Sequence, residues 1–390
     1  MAATRVTRTL VALVGLVVAA AALRFATLDL QSFWVDEGAT VNLLRGDFGH
    51  LLDGIPVTEK TPPLYYVLAW LWTRPFGTGE IGVRSLSALA GVLTVPAAFA
   101  LGRELVSERA GLVAAALVAF NPMLVWYSQE ARAYALLVLL SALATLYGVR
   151  AAREREGPLW RWAAVSALAL ATHYFALFVI APLALWILAR RVDRRRALVA
   201  TAAIAAAGVA LLPLAIEQSE NPGSNFIGGT ALATRIAQVP KQFLLGFDAP
   251  LEAAFTIAAL ALAAAGAWLA LRPRGRAEPP GGAAAGAELP GGAAAGAEPP
   301  GGPASGAAPP GEPASGAAPP GGARIALALA AAAIALPVAA ALAGADFVLA
   351  RNLIVALVPF AVLLAAGFAS ASRLGLALAA ALAALSLATV

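Results

Sequence analysis

The 390-residue sequence contains no cysteine, two histidines and two methionines, and only 13% of its residues are charged. Without cysteine there is no disulfide, no thiolate nucleophile and no cysteine-held metal. Imidazole chemistry is confined to His50 and His173. Segments of alternating apolar and polar residues are missing, which argues against a membrane β-barrel. No phosphate-cradling glycine loop or dinucleotide-binding unit is present. The arginines are scattered over short stretches, so nucleic acid is not an expected partner.

What the sequence has in abundance is apolar surface, 61% of its residues. A soluble domain cannot bury that share. Many segments run to the length of a membrane-spanning helix almost without charge. The expectation is an all-α, polytopic helix bundle in the plasma (inner) membrane. Its eleven spans fall at about 9–28, 84–102, 110–127, 133–149, 159–173, 175–189, 197–216, 251–271, 324–343, 351–369 and 374–390. The net charge of +5 suits a protein held among anionic lipids. The first apolar run, Leu10 to Leu23, is followed by Arg24 and Phe25 rather than a small-residue cleavage site, so it reads as a retained helix.

The segment "PPLYYVLAWLWTRPF" (62–76) is apolar but short, and two prolines open it. Loop charge places it. If it does not cross, 18 of the 27 basic residues face the cytoplasm; if it crosses, 8 do. Because basic loops stay inside, it is expected at the outer interface. The inner loops are then short and basic, apart from a Pro/Gly/Ala-rich insert, 272–323, whose middle repeats every ten residues ("EPPGGAAAGA ELPGGAAAGA"). Such a composition cannot build a core and reads as a disordered cytoplasmic linker. It separates a module over 1–271, with external loops 29–83 and 217–250, from C-terminal helices over 324–390.

The outer stretches carry the polar residues. "SFWVDEGATV" sets Asp36 and Glu37 just beyond the first span, because two successive carboxylates are too costly at mid-membrane. Residues 38–54 read as one short amphipathic helix at the interface, with Val41, Leu43, Leu44, Phe48, Leu51 and Leu52 on its apolar face. A purely structural reading makes the acidic pair a helix start, where the macrodipole favours carboxylates. Lys60, Arg84, Glu130, Arg132, His173, Tyr174 and Arg351 fall on the same side, and each has a bland role open to it. Arg84 and Arg351 could snorkel, Glu130 and Arg132 could pair, and Lys60 and His173 could be ordinary interfacial groups. Their convergence on one face favours a site for an anionic lipid substrate and a nucleophile that must lose a proton.

Five ordered stretches, "FWVDEGAT", "EKTPPLYYVLAWLW", "GEIGVRSLSALAGVLTV", "FNPMLVWYSQEARAYALLVLLS" and "THYFALFVIAPLAL", resemble the bacterial polytopic GT-C glycosyltransferases. The nearest subgroup is the glycosyltransferase-39-like and RgtA-like proteins, related to the dolichyl-phosphate-mannose–protein mannosyltransferases. The resemblance covers about 1–190, and "DFVLARNLIVALVPFAVLLAAG" (346–367) is similar to the family's C-terminal span. It implies an inverting transferase that takes a sugar from a polyprenyl-phosphate donor to a hydroxyl on a glycan, a lipid-linked saccharide or a protein at the extracytoplasmic face. It further implies Asp36 as general base, with Glu37 or Glu130 orienting it, binding sugar hydroxyls or helping to hold a divalent cation such as Mg or Mn. Lys60, Arg84, Arg132 and Arg351 are then the cations for the leaving phosphate. Tyr127, His173 and Tyr174 would line the pocket; Tyr65 and Tyr66 are expected to pack. With no large soluble C-terminal domain in the sequence, acceptor recognition is expected from 29–61 and 217–250.

Two other readings remain open here. A transporter or flippase for a lipid-linked saccharide would need charges within spans and pseudo-symmetric halves. A non-catalytic partner subunit of a transferase would not need Asp36, Glu130 and Arg132.

Overall fold

A computed structural model describes residues 2–153, 159–190, 193–220, 227–272 and 321–390. Apart from Arg272, these belong to one compact unit. The repeat-bearing insert expected to be a disordered linker lies almost wholly outside the described residues.

The described chain is helical throughout. It opens with α1 (Ala2–Phe25), three short helices α2 (Val35–Arg45), α3 (Phe48–Thr58) and α4 (Leu64–Phe76), and the long α5 (Glu80–Leu105). There follow α6 (Glu108–Ala119), α7 (Pro122–Ser128), α8 (Tyr134–Arg153), α9 (Leu159–Thr172) and α10 (Leu177–Ala189). Next come α11 (Arg194–Ala210), α12 (Leu212–Glu220), α13 (Leu232–Leu245) and α14 (Glu252–Leu271). After the insert stand α15 (Gly322–Leu342), α16 (Leu357–Ser370) and α17 (Ser372–Leu387).

Every one of the eleven segments read as a span is helical. Among the described residues seven helices are long and apolar enough to cross a membrane, or eight if α6 and α7 count as one span bent by 59°. The chain is a multi-pass membrane protein. α5, α8 and α16 are mostly enclosed, whereas α1 and the α11–α12 pair turn most of their apolar surface outward. Without a bilayer that outward surface would be unfavourably wet.

The bend between α6 and α7 follows from Asn121–Pro122. Proline fits the first turn of a helix but cannot continue one, and the Asn121 side chain accepts from Leu124 N (2.9 Å) to start α7. A break inside an apolar bundle leaves carbonyls that need donors. Arg24, fully buried near the end of α1, supplies them: Nη1 donates to Ala119 O (2.9 Å) and Nη2 to Val118 O (3.2 Å). Gly91 on α5 leaves the room, since a Cβ there would stand 2.9 Å from Arg24 Nε.

Residues 38–54, read as one amphipathic helix, form parts of two. Asp47 starts α3 by accepting from His50 N (2.8 Å), and Gly46 is extended. Val41, Leu43, Leu44 and Leu51 are buried as expected, while Phe48 and Leu52 are exposed. The buried set packs with Ile55, Tyr65, Tyr66, Val83, Ala131 and Ala133. This small second core ties α2–α4 to the start of α5 and to the turn before α8. The segment 62–76 contains α4, 13 residues long, too short to span alone.

Candidate active site

The acidic pair opens α2, and its two members have different surroundings. Glu37 is fully buried. Its Oε1 accepts from Arg84 Nε (2.9 Å) and Ala131 N (2.7 Å), and its Oε2 from Arg84 Nη2 (2.6 Å) and Trp34 N (3.4 Å). Arg84 also donates to the carbonyls of Leu28, Gln31 and Ser32. Glu37 therefore pins together the end of the α1–α2 linker, α5 and the turn before α8. Asp36, half-buried, points its carboxylate to no hydrogen-bond donor among the described residues, though Arg132 Nη1 (3.4 Å) and Thr40 Oγ1 (3.2 Å) donate to its backbone carbonyl.

A second buried ion pair was not foreseen. Glu59, fully buried, accepts from Arg132 Nη1 (2.6 Å), Tyr66 Oη (2.7 Å) and Thr40 Oγ1 (2.6 Å). Burial disfavours the Arg132 cation, but Tyr66, Glu59, Tyr134 and Asp36 outweigh it and hold the guanidinium firmly protonated. Arg132 thus pairs with Glu59 rather than with its neighbour Glu130. Nothing in sequence spacing marks Glu59; the only signal is its place just ahead of Lys60.

Glu130 has a different environment. Its Oε1 accepts from Trp126 Nε1 (2.7 Å), and its Oε2 is buried with no protein partner among the described residues. Burial, against the Trp126 hydrogen bond, pushes its carboxyl up to about 7. The folded chain therefore keeps this proton between 4.5, the ordinary value, and about 7, where an unfolded chain has released it. Stability from this group is present at low pH and is lost as pH rises through 7. The thermal midpoint should fall between pH 5 and pH 8 more steeply in the wild type than in Glu130→Gln. Parallel curves would show that Glu130 does not titrate there.

Glu37, Arg84, Tyr127, Glu130 and Arg351 line one cleft of about 810 Å³, with Trp34, Trp126, Arg235, Gln238, Gln242 and Phe247 among its other walls. Asp36 does not line it but sits between two residues of α2's start that do, Trp34 and Glu37. Behind the cleft runs an aromatic file: Tyr127 to Tyr134 (ring centroids 4.9 Å apart), Tyr134 to His173 (5.7 Å) and His173 to Phe175 (4.7 Å). His173 is buried, and its Nδ1 accepts from Phe175 N (3.2 Å).

Lys60 and Tyr174 stand apart from the cleft, at the end of α12. Lys60 Nζ donates to Gln218 O (2.8 Å), and Tyr174 Oη donates to Gln218 Oε1 (2.8 Å). Burial lowers the Lys60 ammonium below its ordinary value. Tyr65 and Tyr66 are packing residues with satisfied hydroxyls, on Ser87 (2.9 Å) and Glu59 respectively. Sequence reading also missed α13, which occupies part of a stretch taken as loop. Proline at position 240 made it read as loop, although its buried positions 235, 239 and 243 fall at helical spacing.

Residues 60–216 match the family model of dolichyl-phosphate-mannose-protein mannosyltransferases. The fold is similar to two crystal structures of ArnT from Cupriavidus metallidurans. Against the apo state the TM-score is 0.59 at 15% identity, covering 95% of this chain. Against the state bound to undecaprenyl phosphate it is 0.58 at 17% identity, covering 93%. The chain spans 61% of the length of each. At such identities the likeness shows a shared fold, the GT-C fold that the sequence resemblance implied. No curated protein matches the chain significantly.

Proposed function

We propose that this protein is a membrane glycosyltransferase that moves one sugar from a polyprenyl-phosphate donor to a hydroxyl acceptor at the extracytoplasmic face, with Asp36 as general base. The observation that carries the reading is the contrast within the acidic pair. Glu37 is consumed by Arg84, Ala131 and Trp34, and so it positions. Asp36 beside it, which does not itself line the cleft, has a carboxylate that accepts no hydrogen bond among the described residues.

An acceptor hydroxyl is too weak an acid to attack unaided, so a carboxylate within reach takes its proton as the new bond forms. The acceptor oxygen bonds to the anomeric carbon while the bond from that carbon to the phosphate oxygen breaks. Its electron pair leaves with the lipid phosphate, and a single displacement inverts the carbon. The leaving group is already stable, so the need is for positive charge rather than a second acid. Arg351, which lines the cleft, and Arg132, which donates to the Asp36 carbonyl as well as to Glu59, are assigned to it, whereas Lys60 stands apart from the cleft. Arg84 is committed to Glu37 and holds the scaffold. Among the described residues no three His, Asp or Glu side chains gather closely enough to hold a metal ion. The steps assigned here therefore use the chain's own side chains alone.

The test is transfer by the full chain in lipid vesicles, offered undecaprenyl-phosphate sugars one at a time with candidate acceptors. One donor should release undecaprenyl phosphate in step with product. Transfer from a nucleotide sugar instead, or from no lipid donor, would overturn the reading.

A further inference from the structure

One wall of the cleft is built by α13 and the turn after it, and the side chains of Arg235, Asn121 and Ser386 hold that wall in place. Arg235 donates to the Asp346 carboxylate and to Val348 O (2.6 Å). Asn121 Nδ2 donates to Phe243 O (2.7 Å), and Ser386 Oγ to Leu244 O (2.9 Å). Gly246 ends the helix at φ +72°, a conformation that suits glycine, and the chain turns so that Phe247 meets Trp126 at 5.6 Å.

What this wall presents is uncharged. Gln238 and Gln242 lie one helical turn apart, both line the cleft, and neither amide meets a partner among the described residues. Each amide offers both donors and an acceptor. Around them stand three aromatic rings that line the same cleft and stay partly open: Trp34 (39% exposed), Trp126 (44%) and Phe247 (38%). Glu130 Oε2, buried and unpartnered among the described residues, completes the set of acceptors. Two of the cleft's three arginines are neutralised, Arg84 by Glu37 and Arg235 by Asp346. Flat apolar rings beside paired amides and one carboxylate match the surface of a sugar, with C–H faces for the rings and hydroxyls for the polar groups.

We infer that α13 and its aromatic neighbours form the acceptor site and that the acceptor is a saccharide, bound by Gln238, Gln242, Trp126 and Phe247. This rests on the transferase reading above. The charge distribution assigns the two substrates. The donor's phosphate needs a cation beside Asp36, and Arg132, which donates to the Asp36 carbonyl, lies outside the lining of this cleft. The α13 wall, whose one arginine is paired with Asp346, suits the uncharged partner, whose hydroxyl must reach Asp36 past Glu37.

The experiment uses the full chain in nanodiscs and a light-activated diazirine derivative of octyl mannoside, with a diazirine octanol lacking the sugar as control. The sugar probe should label residues within 232–247 or Trp126, and the alcohol should not. Gln238→Ala/Gln242→Ala should cut that labelling about tenfold, the loss of two neutral hydrogen bonds. In the transfer assay the same variant should raise KM for a saccharide acceptor more than KM for the lipid donor. Asp36→Asn should label as the wild type does, because binding does not need the base. Equal labelling by the alcohol, or labelling insensitive to the two glutamines, would overturn the saccharide site and leave the transferase reading standing. Labelling as expected with no transfer from any lipid donor would sink the transferase reading and leave a sugar-binding cleft.

Discussion

Replacing Asp36 with Asn lowers sugar transfer by about two to four orders of magnitude, the span a positioned general base contributes. The variant folds. Its carboxylate accepts no hydrogen bond from the described residues, so the amide removes the proton-accepting charge and a lesser attraction on Arg132, which Tyr66, Glu59 and Tyr134 still hold protonated. Thr40 and Arg132 still donate to the residue 36 carbonyl, which the substitution leaves in place. The check is a matched pair of measurements on purified protein in vesicles, transfer rate and thermal midpoint. Transfer within threefold of wild type, at an unchanged midpoint, would remove Asp36 from the chemistry.

Arg84→Met gives the opposite pattern, a loss of the fold before any loss of chemistry can be read. It strands the Glu37 carboxylate in a site with no access to water, and breaking a buried pair from one side costs about 3–5 kcal/mol. The thermal midpoint should drop by on the order of 10 °C. Arg84→Met combined with Glu37→Gln should regain much of that, because the stranded charge is gone while Ala131 N and Trp34 N keep an acceptor. A single variant as stable as wild type, or a double variant no better than the single, would mean that the pair does not hold the turn in place.

The two carboxylates behind these variants, Asp36 and Glu37, are neighbours in the chain, and sequence alone could not tell them apart. Adjacent residues at the start of a helix point about 100° apart, so one carboxylate of "DE" faces the scaffold and the other does not. Which is which depends on where Arg84 arrives, 47 residues later. The helices themselves were legible. Apolar runs bounded by arginines mark each of the eleven segments, because an uninterrupted run of that length has no other stable form in lipid. The grouping of Glu130, Arg84 and Arg351 on one cleft was legible too, through loop charge. Glu59 was not, since a glutamate beside a lysine before two prolines reads as solvated loop. Its burial exists only because Tyr66, Thr40 and Arg132 converge on it from three separate elements. α13 was passed over because it is too short to span and Pro240 interrupts it; its helical period is present, with Val239 and Phe243 buried while Gln238 and Gln242 line a cavity.

The arginine that caps the broken helix has a bearing on how the molecule is made. Arg24 leaves the ribosome 94 and 95 residues ahead of the two carbonyls that receive it. Until α6 and α7 follow, the first helix holds a guanidinium with only Ala20 O, one turn back, to engage within the membrane. It must then wait at the translocon or lean toward the headgroups. The opening segment thus reaches its final depth only after a third of the polypeptide has been synthesised.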